Sequence, residues 1–125
     1  MIWLTKGILF LMQQIFFQAA YDYFKVKYVD DPEKFKDLKA ELQNETESIK
    51  LTLQEIWGNA SGDISQGIRD IQEFFVSHLQ KHYDANSRED LLKCFNKAKD
   101  DYKEMWDEML NSWDQVKQSL TSFFK

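Results

Sequence analysis

Hydrophobic positions crowd the start of the chain and then thin into regular stripes. From Met1 to Val29 the residues read MIWLTKGILFLMQQIFFQAAYDYFKVKYV. Wound at 100° per residue, the polar positions Gly7, Gln14, Gln18, Asp22 and Lys25 fall on one narrow strip, and almost everything else is apolar or aromatic. The pattern predicts a first helix over Ile2 to Val29 that needs cover around most of its circumference.

After it the apolar residues recur in steps of three and four. Asp30-Asp31-Pro32-Glu33 predicts a break and a restart, because proline fits a first helical turn and an aspartate before it can cap free N–H groups. A second helix follows from Pro32 to about Trp57, with Phe35, Leu38, Leu42, Thr46, Ile49, Leu53 and Ile56 on its buried side. Gly58 then predicts a left-handed cap, and Ser61 or Asp63 the opening of a third helix to Tyr83 with Ile64, Ile68, Ile71, Phe75 and Leu79 inward. Gly67 lies inside that helix, a site for close approach by a neighbour.

Asp84-Ala85-Asn86-Ser87 predicts another stop, and Ser87 to Asp90 a capping box with a short acid. The fourth helix is predicted from Arg88 to about Phe123 on the stripe Leu91, Phe95, Ala98, Tyr102, Met105, Met109, Trp113, Val116, Leu120 and Phe123. At that length it extends about 54 Å against about 39 Å for the second, so its end projects or bends. The fold class this implies is all-α: an up-down antiparallel four-helix bundle with a strongly apolar N-terminal helix and an overlong C-terminal one. Residues 1–125 read as a single helical domain, an apolar stretch 1–29 ahead of an amphipathic portion 32–124.

Charge divides the chain at the same place. The formal charge is −5, but residues 1–29 hold Lys6, Lys25 and Lys27 against Asp22, leaving the remainder strongly acidic. An acidic body repels phosphate backbones, which argues against nucleic acid as a partner. One cysteine, Cys94, allows no disulfide within the chain.

What covers the first helix is the functional question, and protein, lipid and a membrane interface are all open. The uncharged window between Lys6 and Asp22 is about fifteen residues, short of the roughly 20 that span a hydrocarbon core. Including Met1 to Leu4, with Lys6 reaching to the interface, extends it to about 21. A secretory signal fits poorly: Gln13 and Gln14 interrupt the run, and cleavage after Ala20 puts Gln18 where a small residue belongs.

No catalytic set is legible. His78 and His82 share a helix face at metal-ligand spacing, but Phe75 and Leu79 occupy the positions a Glu-x-x-His pair requires, so two partly exposed histidines near a helix end are expected. Cys94 lacks an orienting base, and Asp100, Asp101, Glu104, Asp107 and Glu108 lack the glycine turn of a calcium loop. Of two glycosylation patterns, at Asn44 and Asn59, only that at Asn59 falls in a predicted loop.

The expectation is therefore a non-enzymatic structural or accessory subunit of a larger, membrane-associated assembly, without cofactor or metal, binding other protein subunits and lipid. Its membrane- or partner-facing residues are Ile2, Trp3, Leu4, Ile8, Leu9, Phe10, Met12, Ile15, Phe16 and Phe17, with a second sticky end at Trp113, Leu120, Phe123 and Phe124. Two alternatives stand beside it: an amphipathic carrier of lipid or another hydrophobic ligand, and a self-associating coiled-coil adaptor. In general look alone the pattern is similar to apolipoproteins and to small accessory subunits of respiratory-type complexes. That likeness implies a membrane location such as the mitochondrial inner membrane, or secretion, and transfers no residue.

Overall fold

The computed structural model describes residues 2–60, 63–105, 107, 108 and 111, and the side chains of 2–8 and 64 lie outside that description. The described residues are all-helical, with no strand among them. Five helices are defined there: α1 (Ile2–Lys27), α2 (Pro32–Asn44), α3 (Thr46–Asn59), α4 (Ile64–His82) and α5 (Arg88–Asp101).

Three starts are capped as the sequence implies. Asp31 accepts from the N–H of Lys34 at 3.2 Å, Asp63 from that of Gln66 at 3.1 Å, and Ser87 Oγ from that of Asp90 at 3.2 Å. Each bond satisfies a donor that the first helical turn leaves without an intrahelical acceptor. The stop after α4 is a left-handed residue, Asp84 at φ 53°, which lets the N–H of buried Ala85 return to the Leu79 carbonyl at 3.2 Å.

Helix α1 lies against all four of the others. Its buried positions Leu11, Met12, Ile15, Phe16, Ala19, Ala20, Tyr23 and Phe24 follow a period of four, which is one face of a helix rather than its circumference. The outer face holds Phe10, Gln13, Gln14, Phe17, Gln18 and Tyr21. Every residue from Leu11 to Phe24 is nonetheless buried or half-buried, so the fold covers most of the circumference there, and Phe10 stands out at 58% exposed.

Contacts fix which ends meet. Near the end of α1, Lys27 Nζ donates to the Asp84 carbonyl just before α5 at 2.9 Å. Farther back, Met12 and Ile15 share a small void with Phe95 and Lys99 of α5. Lys39 of α2 lies over the Tyr21 ring at 5.3 Å, while Leu9, Phe10 and Gln13 border Lys50 and Gln54 of α3. On α4, Phe75 meets Phe16 edge to face at 5.3 Å and Tyr83, just past its end, tilts against Phe24 at 5.5 Å. Burying each such ring removes enough apolar surface to contribute roughly 1.5–3 kcal/mol.

Three expectations are corrected. The second helix does not run unbroken from Pro32 to Trp57: it breaks at Glu45 (φ −91°, ψ 4°) into α2 and α3. There the Thr46 hydroxyl donates to the Gln43 carbonyl at 2.6 Å, a side-chain bond that competes with the helical ladder. Gly58 is no left-handed cap, since α3 continues to Asn59 and ends on Ala60 in right-handed geometry. Nor is the fourth helix continuous, for α5 ends at Asp101 and the N–H of Tyr102 is shared between the Ala98 and Lys99 carbonyls at 3.3 and 3.2 Å. That sharing is the tightening typical of a last helical turn. Helical backbone resumes over 103–105, and the rest of the predicted stripe, from Met109 to Phe123, lies outside the described residues.

Gly67 does mark a close approach, by a side chain rather than a backbone. A Cβ there would sit 3.2 Å from Trp57 Cε3 and 3.7 Å from the Ala60 methyl, so a side chain at this position would press on the Trp57 ring where α4 meets the end of α3.

Candidate functional site

Two places combine residues from several helices. The first is polar and forms at the α2–α3 break. Glu45 at the break turns its carboxylate inward, where Oε2 accepts from His78 Nε2 of α4 at 3.1 Å and from the Tyr83 hydroxyl. An ionised carboxylate can only accept, so the imidazole nitrogen at this contact carries the hydrogen. The His78 side chain is 14% exposed, and Phe74, Phe16, Tyr83 and His82 frame its ring at centroid distances of 5.4, 6.3, 5.9 and 4.7 Å.

Titration follows this geometry. Burial alone would raise Glu45, but the Tyr83 and His78 hydrogen bonds, with the histidine charges, outweigh it and hold the carboxyl below its ordinary 4.5. Burial pushes the Tyr83 phenol well up, and the carboxylates of Glu45 and Glu41 add to the shift. Tyr83 therefore stays protonated as a donor. Two imidazoles and a carboxylate meet here, yet among the described residues no group of three or more His, Cys, Asp or Glu could hold a metal ion.

Of the two histidines expected in partial exposure, His78 is half-buried and paired, and His82 is exposed. The sequence reading missed Glu45 and Tyr83 as partners. A signal for Glu45 was present, since Leu42, Glu45, Ile49 and Leu53 are spaced by three or four as well as any stripe through Thr46. A carboxylate at a core-spaced position calls for a buried partner.

The second place is the apolar outer edge of α1. Leu9, Phe10 and Gln13 with Lys50 and Gln54 of α3 line an open cleft of about 390 Å³. Of the expected membrane- or partner-facing residues, Phe10 is exposed, and Leu9 and Phe17 are half-buried. Met12, Ile15 and Phe16 are corrected: at 4% exposure or less they belong to the chain's own core, because the face they share with Ala19 and Phe24 is the one the other helices cover. The side chains of Ile2, Trp3, Leu4 and Ile8, and all of Trp113, Leu120, Phe123 and Phe124, lie outside the described residues.

Other candidates resolve plainly. Cys94 is half-buried in a cleft of about 420 Å³ with Tyr23, Val26, Lys27, Asp90 and Lys93, and burial together with Asp22 and Asp90 pushes its thiol up, away from a nucleophile's range. The carboxylates Asp100, Asp101, Glu104, Asp107 and Glu108 form an exposed face. Asn59 is exposed at the end of α3. The void between Met12, Ile15, Ile68, Ile71, Phe95 and Lys99 holds about 10 Å³, no more than one water.

Among the described residues no helix is long and apolar enough to cross a membrane. Compared with known proteins, the chain matches no family model, no curated protein and no solved structure.

Proposed function

We propose that this chain is a non-enzymatic helical accessory subunit that docks onto other protein subunits of a larger, membrane-associated assembly through the outer edge of α1. Its architecture in this reading is the up-down antiparallel four-helix bundle, α2 and α3 together making one broken rod. Support for the bundle comes from which residues meet: Tyr21 with Lys39 and Gln13 with Lys50 pair α1 with α2 and α3 in opposite directions, and Tyr23 with Asp90 and Met12 with Lys99 do the same for α1 and α5. Contact of Phe16 with Phe75 and of Phe24 with Tyr83 makes α4 run with α1, the diagonal relation of first and third rods.

The observation that carries the docking reading is Phe10. A phenyl ring 58% exposed and bordering an open cleft with Leu9 is apolar surface that a docking partner would cover. The described core is filled by the opposite face of the same helix, and in this reading a partner subunit covers the ring. Membrane association is then a matter of position beside the assembly or of surface contact, with no span by the described helices. The Met12 to Lys99 void is too small for an acyl chain, which weighs against a carrier that encloses its ligand there.

A photo-crosslinking residue at position 10 in the host cell tests this directly. The expected result is one discrete protein adduct that is absent with the probe at exposed Asn96 of α5. Lipid adducts alone, or equal labelling from both positions, would overturn the reading.

A further inference from the structure

The break between α2 and α3 contains neither glycine nor proline, and its local causes are mild: Asn44 and Thr46 are weak helix formers, and the Thr46 hydroxyl bonds back to the Gln43 carbonyl. The deviation is confined to Glu45, whose carbonyl still accepts from the Ile49 N–H at 2.8 Å, so the ladder resumes at once. The one long-range tie at the break is the Glu45 side chain, anchored on another helix by His78 and beyond that helix by Tyr83. Glu45 is also the N-cap of α3 and makes no capping bond with that side chain, because the carboxylate is engaged elsewhere.

A joint held from outside by an ionised group comes undone when the charge is removed. We propose that the α2–α3 joint is a proton-operated hinge: ionised Glu45 holds the break by anchoring it on His78 and Tyr83, and protonated Glu45 lets α2 and α3 run on as one helix. The charged and titratable groups around it are Tyr21 of α1, Glu41 of α2, His78 and His82 of α4, and Tyr83 beyond it. The two imidazoles favour the carboxylate, and Glu41 adds negative charge on the Tyr83 side. Neutralising Glu45 converts charge-assisted bonds into ordinary ones, about half as strong, while the continuous helix regains a regular turn.

Spin labels at exposed positions 33 and 55, on a Cys94→Ser background, report the joint directly. A continuous helix places them about 33 Å apart along its axis, the greatest separation the segment allows while helical. The expected wild-type result is a shorter distance at pH 7 that moves toward this limit with a midpoint below 4.5, the ordinary glutamate value. Glu45→Gln should show the longer distance already at pH 7, with its helical circular dichroism retained, and Tyr83→Phe should move the wild-type midpoint upward. An unchanged distance in Glu45→Gln at pH 7 would overturn the hinge whatever happens in acid. So would a wild-type distribution that only broadens together with loss of cooperative melting.

Discussion

At the scale of single residues, α1 offers a matched pair of phenylalanines. Phe16 is fully covered, stacked with Phe74 at 5.4 Å and edge-on to Phe75 at 5.3 Å; Phe10, less than two turns away, stands mostly in water. Deleting a covered ring removes its transfer energy and leaves a hole that rigid neighbours cannot fill. Phe16→Ala should therefore cost about 3–5 kcal/mol in denaturant unfolding, and Phe10→Ala should stay within about 0.5 kcal/mol. A large loss at Phe10 would mean that its ring supports the fold instead of a contact.

At the scale of elements, caps and stripes were open to sequence reasoning and breaks without a breaker were not. Asp31, Asp63 and Ser87 each sit ahead of a periodic run, and a short oxygen-bearing side chain there has one job that local geometry dictates. Ile49, Leu53, Phe75, Leu79, Leu91, Phe95 and Ala98 occupy the buried positions that their spacing implies. The interruptions at Glu45 and Tyr102 follow neither glycine nor proline, and the Glu45 side chain at the first is bonded to residues more than thirty positions away, partners that periodicity does not reveal. The docking edge was half legible for a related reason: periodicity identifies a face as apolar but does not say which of two apolar faces the rest of the chain will cover. For the caps, Asp63→Ala should lower stability by about 1 kcal/mol and raise amide exchange in the first turn of α4, leaving its last turn near Leu79 unchanged.

At the scale of the whole molecule, pH acts through carboxylates whose charge the fold favours. Glu45 is held below its ordinary value, as is Glu73, whose partner is the Arg88 guanidinium at 2.5 and 3.2 Å. A carboxyl with a depressed folded value contributes stability that is complete above the unfolded value and is lost as pH falls through the folded one. Thermal midpoints should hence be flat from about pH 5 to about pH 8 and fall below 4.5. Glu73→Gln should flatten this decline slightly, since its pair is exposed and weak, and Glu45→Gln more so.

The pairing of α1 with α5 carries a cost that is felt before the fold exists. Synthesis at roughly 5–20 residues per second separates Leu11 from Phe95 by about 4–17 seconds, and through that interval a helix with eight core side chains waits for its latest partner. The nascent chain thus presents an uncovered greasy segment at the ribosome exit, a substrate for holdase chaperones, and the speed of translation past α4 sets how long the aggregation hazard lasts.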